Sequence, residues 1–472
     1  MLPVLQTSKA KEPEPQVATI DTHQPNFSIG GNKVFFISLG CPRNLVDTEV
    51  MIGILLKAGY EACQNLTDAD FVVINTCGFL ESSRQESLDT IGDALATCKK
   101  DAKVIATGCM VQTHSDLVRE TFPQIHYLLG SGDVTEILSA VQSKEEGQAV
   151  SSAKSYIEMG EVPRIRSTPK QYAYLKIAEG CRKRCAFCKI PSIKGPLKSK
   201  SVEQVLREIR ILVDDGVQEI ILIAQDLGDF GKDAGHKKSD GLIALLKAIF
   251  ENEKRHFQLR LLYLYPDEIT DELIAFIKQE PRILHYLDMP IQHINDEMLS
   301  SMRRTTTRAQ IISIIQKLRK EIPDVVIRTS LMVGFPGETN DQFQELCNFV
   351  QEHPLDNIGI FKFSKEEGTH AATLDEQVPE HIKEKRFQKL ADIQRKIAKK
   401  RNKALIGKTL DVIVEGYHPE SRLLLRGRYY GQCPDIDGLV IINDARGVQG
   451  FGKTHKVTIT DCTEYDIIGK IV

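Results

Sequence analysis

The sequence predicts an α/β protein in three parts: an amino-terminal α/β domain with a parallel sheet, a central partial (βα)6 barrel, and a small carboxy-terminal β-barrel. From residue 33 to about residue 400, short apolar runs alternate with stretches whose apolar residues recur at helical spacing, which is typical of parallel sheets. From about residue 404, short strand-like runs are separated by glycines, as in a small β-barrel. A chain of 472 residues also has room for about three domains.

The overall composition gives no argument for a nucleic-acid or membrane partner. Charged residues make up 26% of the chain and the formal net charge is -3. No apolar run approaches the roughly 20 residues that span a bilayer, and the first 30 residues lack the apolar core of a secretory signal, so we expect a cytoplasmic protein. Eleven cysteines in such a chain favour metal ligation or catalysis over disulfides.

Changes in composition divide the chain into five segments. Residues 1–32 are polar, contain several prolines and show no periodicity, which indicates a disordered tail. The amino-terminal domain covers residues 33–145, and a polar, proline-containing linker covers residues 146–169. The central barrel is expected at residues 170–400 and the small β-barrel at residues 401–472.

Three cysteines of the amino-terminal domain each follow a predicted strand. They are Cys41, Cys77 and Cys109, and each has a neighbouring glycine that supplies backbone freedom. Ligands bind beyond the carboxyl ends of strands in parallel sheets, so the three thiols should converge in one crevice. Together they indicate an iron–sulfur cluster. The alternative is that each is a buried small residue at a strand end.

A second trio, Cys181, Cys185 and Cys188, follows the apolar run at residues 174–178. This spacing lets a tight loop point three thiols at one centre. Tetrahedral zinc normally takes four protein ligands, often from two short pairs, whereas a cubane iron–sulfur cluster is held by thiolates on its irons. Three thiolates would leave one iron open to bind a small molecule, which favours catalysis over three structural cysteines.

Polar residues also stand where predicted strands of the central barrel end, which is where such barrels place their chemistry. Gln225 follows the second predicted strand, Gln292 follows the fourth, and Arg328 belongs to the polar stretch assigned to the end of the fifth. Each of these side chains is either a ligand contact or a hydrogen-bonded cap of its strand.

The CxxxCxxC spacing at residues 181–188 resembles the signature of the radical S-adenosylmethionine (SAM) enzymes. In those enzymes, three cysteines hold a 4Fe–4S cluster whose open iron chelates the amino and carboxylate groups of SAM. The resemblance implies reductive cleavage of SAM to a 5′-deoxyadenosyl radical that abstracts hydrogen from carbon. It also implies that Gln225, Gln292 and Arg328 lie around SAM.

Residues 40–49, GCPRNLVDTE, and residues 75–79, NTCGF, resemble the radical SAM methylthiotransferases. They look like the branch that modifies ribosomal protein S-twelve, since the tRNA-modifying branch reads glutamine and methionine after the first cysteine. The resemblance implies a second 4Fe–4S cluster on Cys41, Cys77 and Cys109 that supplies sulfur. The implied reaction is methylthiolation of the β-carbon of an aspartate of S-twelve, with a second SAM supplying the methyl group.

The carboxy-terminal barrel resembles the TRAM module, which many relatives use on RNA. Residues 401–472 contain ten Lys and Arg against nine Asp and Glu, so the nucleic-acid signal is not strong. Residues 427–438 resemble the ribosomal-protein branch and suggest a barrel that docks on a protein. The expected partners are ribosomal protein S-twelve and an electron donor such as flavodoxin or ferredoxin.

Two other functions stay open on sequence alone. One is a tRNA methylthiotransferase acting on isopentenyladenosine beside the anticodon. The other is a non-catalytic iron–sulfur or zinc scaffold that binds the ribosome. Iron and sulfide content together with SAM turnover would distinguish it, because a closed zinc site could not cleave SAM.

Overall fold

The computed structural model describes residues 32–151, 155–160, 162–448 and 450–472, so nearly all of the predicted disordered tail lies outside the described residues. These ranges contain two six-stranded parallel sheets and a closed five-stranded barrel, which confirms the predicted fold class. Within these ranges, no helix combines the length and the apolar character that crossing a membrane requires.

The amino-terminal sheet has helices on both faces, which explains why its central strands are buried almost throughout. Its strands are β1 (Lys33–Ser38), β2 (Glu61–Ala62), β3 (Phe71–Thr76), β4 (Lys103–Gly108), β5 (Tyr127–Gly130) and β6 (Gly147–Ala149). Its helices are α1 (Pro42–Lys57), α2 (Glu81–Thr97), α3 (Cys109–Thr121) and α4 (Ile137–Gln142). The strand order is β2-β1-β3-β4-β5-β6 and every pair is parallel. The start of the predicted linker thus adds an edge strand, β6.

The central domain is a singly wound, open barrel. Its strands are β7 (Tyr172–Lys176), β10 (Glu219–Ile223), β11 (Gln258–Leu261), β12 (Ile283–Asp288), β13 (Val326–Val333) and β14 (Asn357–Lys362), and a small hairpin joins β8 (Ala178–Glu179) to β9 (Lys198–Ser199). Its helices are α5 (Ile190–Lys194), α6 (Val202–Asp214), α7 (Asp240–Asn252), α8 (Asp271–Gln279), α9 (Asp296–Ser301), α10 (Arg308–Glu321), α11 (Asn340–Glu352) and α12 (Glu380–Lys403). Each of the six main strands pairs in parallel with the next one along the chain, and β7 and β14 are the edges.

The carboxy-terminal domain is a closed barrel in the order β15-β16-β17-β19-β18. Its strands are β15 (Thr409–His418), β16 (Ser421–Arg428), β17 (Val440–Asp444), β18 (Thr454–Cys462) and β19 (Ile467–Ile471). Alternate residues such as Val412, Val414 and Val457 are fully buried, as the alternating sequence pattern requires.

Residues 429–438, which join β16 to β17, form a plug at the amino-terminal end of the central barrel. The Tyr172 hydroxyl donates to the Asp435 carboxylate at 2.8 Å, the Tyr286 hydroxyl donates to Asp437 at 2.7 Å, and Cys433 is fully buried. The structure packs this stretch into the chain's own central domain, whereas the docking of the barrel on a protein stays a prediction.

A buried group of charges fastens the plug. Arg428 bonds Glu415 at 2.7 Å and Glu219 at 3.1 Å, and Arg260 bonds the other oxygen of Glu219 at 2.6 Å. The side chains of Arg428, Arg260 and Glu219 are at most 2% exposed. Each buried charge therefore depends on its partner to offset the loss of water.

Replacing Arg428 by Ala should destabilise the protein strongly, because Glu219 and Glu415 lose a buried counter-ion. We expect a loss of about 3–5 kcal/mol in the free energy of unfolding. Urea unfolding measures it. Arg446→Ala is the matched control in the same barrel: its pair with Asp444 is at the surface, and its removal should leave the free energy of unfolding nearly unchanged. Equal losses in the two variants would contradict the role given to Arg428.

Candidate active site

The first cysteine trio lies along one edge of the amino-terminal sheet. Cys41 precedes α1, Cys77 directly follows β3, and Cys109 directly follows β4 as the first residue of α3. Because β1, β3 and β4 are neighbours and parallel, their carboxyl ends bring the three thiols to one crevice. Burial raises the pKa of both Cys77 and Cys109. The thiols are also close enough for the charge of ionised Cys41 to raise both pKa values further.

Two glycines let the loops of this trio approach each other. Gly40 has φ +89° and Gly108 has φ +101°, which L side chains rarely adopt. A Cβ on Gly40 would also lie 2.9 Å from the Cβ of Cys77. Any larger residue at position 40 would therefore push two of the thiols apart.

Asn44, on the first turn of α1, ties the three loops together. Its buried amide donates to the carbonyl oxygens of Leu39 at 3.1 Å and Thr76 at 3.0 Å, and its Oδ1 accepts from the Cys109 thiol at 3.5 Å. These partners belong to the loops that carry Cys41, Cys77 and Cys109. No local sequence pattern indicates this role of Asn44, because several of its partners are distant in sequence.

The second trio lies in the loop that follows β8. The Cys185 thiol lies 2.8 Å from the Tyr265 hydroxyl and 3.8 Å from Nη1 of Arg304, and the Cys188 thiol accepts from the Ile190 amide at 3.4 Å. Burial raises the pKa of Cys181 to about 11 and that of Cys188 to about 12. A metal would displace these protons, because thiolates are the metal ligands.

Arg43 lies between the two trios. Its Nη1 donates to the carbonyl oxygen of Ala224, just beyond β10, at 2.8 Å, and its guanidinium lies 4.7 Å from the ring centre of Tyr263. Asp226, two residues beyond Ala224, pairs at 3.4 Å with Lys183 of the second trio's loop, so Arg43 links the loops that carry the two trios. The two cysteine trios therefore face a common crevice.

A buried ion cluster holds the two domains in this arrangement. Lys176 at the end of β7 and Lys194 on α5 both pair with Asp47 of α1 and with Glu179 of the hairpin. The contacts of Lys194 with Asp47 and Glu179 measure 3.1 and 2.9 Å, and all four side chains are at most 4% exposed. Burial raises the pKa of Glu179, but the two lysines outweigh that effect and hold it well below its ordinary value.

The other predicted site residues differ in their surroundings. Gln225 follows Ala224, and both its amide atoms are buried without a hydrogen-bond partner among the described residues. Gln292 has φ +71°, and its backbone bonds Ser330 and Met332 of β13 at 2.8 and 2.7 Å. The unpartnered amide of Gln225 fits a polar ligand such as SAM next to the second trio.

The prediction that Arg328 ends the fifth strand is wrong. Arg328 is the third residue of β13, because pairing with the end of β12 starts the strand at Val326. Its Nη1 lies 2.8 Å from Asp288 and its Nε lies 3.9 Å from Asp437 of the plug. Arg328 is thus already paired by carboxylates at the level of the plug.

Lys183, inside the second trio's loop, is a further anchor that the sequence analysis missed. It pairs with Glu268 at 2.9 Å and with Asp226 at 3.4 Å. Burial raises the pKa of Asp226 to about 7. The charge of Lys183 opposes this rise, and the charges of Asp229 and Glu268 add to it. Lys183 therefore fastens the cysteine loop to the ends of β10 and β11.

Three family models match parts of the chain: Uncharacterized protein family UPF0004 over residues 33–130, the Radical SAM superfamily over residues 175–350, and the TRAM domain over residues 406–472. A solved structure, the radical SAM methyltransferase TsrM from Kitasatospora setae with cobalamin and a 4Fe–4S cluster bound, aligns with a TM-score of 0.52 at 14% identity, over 70% of this chain and 75% of that one. At this identity the alignment supports the fold alone.

Relatives of known name match over nearly the full length. The ribosomal protein uS12 methylthiotransferase RimO of Protochlamydia amoebophila is 60% identical over 100% of both chains. RimO of Chlamydia abortus is 53% identical over 93% of this chain and 95% of that one, and RimO of Bdellovibrio bacteriovorus is 44% identical over 93% and 97%.

The fold, the trio at residues 181–188 and the superfamily match define a radical SAM protein, a class that implies a 4Fe–4S cluster and SAM as cofactors. Within that class, the chain belongs to the RimO family of ribosomal protein uS12 methylthiotransferases, uS12 being ribosomal protein S-twelve. The family predicted from the sequence is therefore confirmed.

In protein freed of metal, Cys41 should be the most reactive thiol of the two trios. Burial opposes ionisation of Cys41, but Arg43 and the amides at the start of α1 lower its pKa to about 7, whereas that of Cys109 is raised to about 12. Alkylation with iodoacetamide, followed by peptide mass spectrometry, should label Cys41 half-maximally near pH 7 and leave Cys109 unlabelled at pH 8. Arg43→Gln should move the Cys41 profile to higher pH, and an unchanged profile would contradict the contact.

Proposed function

We propose that this chain methylthiolates the β-carbon of an aspartate of ribosomal protein uS12. The observation that carries the proposal is the pair of cysteine trios, on two domains, that face one crevice with Arg43 between them. The printed names of the full-length relatives support the same reaction. A site that joins sulfur to carbon needs both centres beside one substrate atom, and this crevice offers that arrangement.

Cys181, Cys185 and Cys188 would hold the 4Fe–4S cluster that binds SAM, and Cys41, Cys77 and Cys109 would hold a second 4Fe–4S cluster. When bound, these cofactors supply a carbon-centred radical that abstracts hydrogen, the sulfur, and the methyl group from a second SAM. Gln225 is the residue that we assign to SAM, because its amide has no partner within the described part of the chain. Gln292 stays a candidate contact.

The chain's own residues position and shield this chemistry. The ion cluster of Asp47, Lys176, Glu179 and Lys194 fixes the amino-terminal domain over the barrel, and Tyr265 and Arg304 hold Cys185. Glu366, beyond β14, accepts from Arg84 at 2.5 Å at the other side of the interface. The two domains thus meet on both sides of the crevice, which limits the access of water and oxygen.

The two alternatives are not favoured. A tRNA methylthiotransferase is disfavoured by the relatives, whose names specify uS12. A non-catalytic scaffold is disfavoured by the match to the Radical SAM superfamily. Since ribosomal proteins are made in the cytoplasm, we place the reaction there, with an electron donor such as flavodoxin or ferredoxin.

Replacing one cysteine of each trio should separate the two half-reactions. Cys185→Ala should abolish reductive SAM cleavage, whereas Cys77→Ala should keep cleavage and lose sulfur insertion. Each variant should bind about half the wild-type iron, because each would lose one of two four-iron clusters. Anaerobic reconstitution, iron analysis and chromatography of 5′-deoxyadenosine measure these effects.

Cys462→Ala, outside both trios in β18, is the matched control and should behave as wild type. Mass spectrometry of one reaction containing both a uS12 loop peptide and an isopentenylated anticodon stem-loop identifies the substrate. Product on the RNA alone would refute the uS12 assignment. Product from both cysteine variants would refute the two-cluster assignment.

A further inference from the structure

We infer that Arg43 binds the carboxylate of the substrate aspartate and thereby selects an acidic side chain in the crevice. The inference rests on the proposed function, because it concerns the part of the substrate that lies beside the reacting carbon. It assigns to Arg43 a role in substrate recognition, in addition to its contact with Cys41.

The first observation is that Arg43 lacks a carboxylate partner. Within the described ranges, no Asp or Glu lies within ion-pairing distance of its guanidinium, whose contacts are the Ala224 carbonyl, the Cys41 thiol and the Tyr263 ring. Two other arginines have carboxylate partners: Arg328 pairs with Asp288, and Arg428 pairs with Glu219 and Glu415. Arg43 is only half-buried, and the anion it contacts is the Cys41 thiolate, so its guanidinium has N–H groups left for a second anion such as a carboxylate.

The second observation is the position of Arg43 relative to the two cysteine trios. Arg43 follows Cys41 by two residues and bonds Ala224 at 2.8 Å, and Asp226, two residues beyond Ala224, pairs at 3.4 Å with Lys183 of the second trio's loop, so the guanidinium lies where the loops of both trios meet. Gln225, whose amide is buried and unpartnered, directly follows the carbonyl that fixes Arg43. Together they place a guanidinium and an amide donor on one wall of the crevice.

The chemistry of the two donors suits a carboxylate. A guanidinium presents parallel N–H groups that a carboxylate accepts in pairs, and contact with Ala224 and Tyr263 restricts its orientation. The aspartate carboxylate is bonded directly to the reacting β-carbon, so its pairing with Arg43 would hold the β-carbon at a fixed distance from the guanidinium. A side-chain amide or a nucleobase would offer the guanidinium no charged acceptor.

Arg304 is the competing cation, and its surroundings differ. Its Nη2 donates to the Pro290 carbonyl, its Nη1 contacts Cys185, and it stacks on Tyr265 with 3.8 Å to the ring centre. All of these contacts lie on the side of the second trio. Arg304 is therefore the control for a buried arginine that touches one trio alone.

The test compares two uS12 loop peptides that differ only in aspartate or asparagine at the modified position. Binding to reconstituted enzyme with SAM but no reductant, measured by fluorescence anisotropy, requires no turnover. Wild type should bind the aspartate peptide about 10- to 100-fold more tightly, the range expected for one charge-assisted contact. Arg43→Met should bind both peptides alike, Arg43→Lys should keep part of the preference, and Arg304→Met should keep the preference for aspartate.

Each outcome separates the inference from the function on which it rests. Equal binding of the two peptides by wild type, or a preference that survives in Arg43→Met, would overturn the role of Arg43 and leave the uS12 reaction in place. If neither peptide binds while the anticodon stem-loop does, the proposed function fails, and the inference fails with it. Iron content and absorption spectra of each variant establish that both clusters are present.

Discussion

The arrangement of the site depends on the buried cluster of Asp47, Lys176, Glu179 and Lys194. The two cysteine trios belong to different domains, and only a fixed interface keeps them opposite each other. A cluster of paired charges suits this task, because a shift of one domain leaves a charge buried without its partner. An apolar contact of the same size would tolerate sliding. The cluster thus specifies orientation more than it adds stability.

The inside of the central barrel is filled from two directions. Val46, with the half-buried Leu45, reaches it from α1, and Cys433, with the half-buried Ile436, reaches it from the plug; these residues form one apolar cluster with the barrel's inward-facing side chains. The strands therefore enclose a packed core. The amide of Gln225, which has no hydrogen-bond partner among the described residues, lies beyond that core, where the strand ends open to the crevice.

The sequence predicted what depends on local pattern, and it missed what depends on contacts between distant segments. The alternation of strands and helices, and the position of each cysteine just after a strand, are properties of short stretches, so the convergence of Cys41, Cys77 and Cys109 could be expected. The bonds of Asn44 to three loops could not. Arg328 was misplaced because it was grouped with the polar stretch that ends the fifth strand, although it is the third residue of β13 and pairs with Asp288 of β12. The short strands β2 and β6 are too brief to show periodicity.

The plug also affects how the protein is made. Tyr172 meets its partner Asp435 across 263 residues, and Tyr286 meets Asp437 across 151. Domains usually fold as units, the amino-terminal one first, while the ribosome is still working. Here the plug closes the amino-terminal end of the central barrel, and the plug is synthesised after all of the barrel's strands and helices. The amino-terminal end of the barrel therefore stays open until translation has passed the β16–β17 connection.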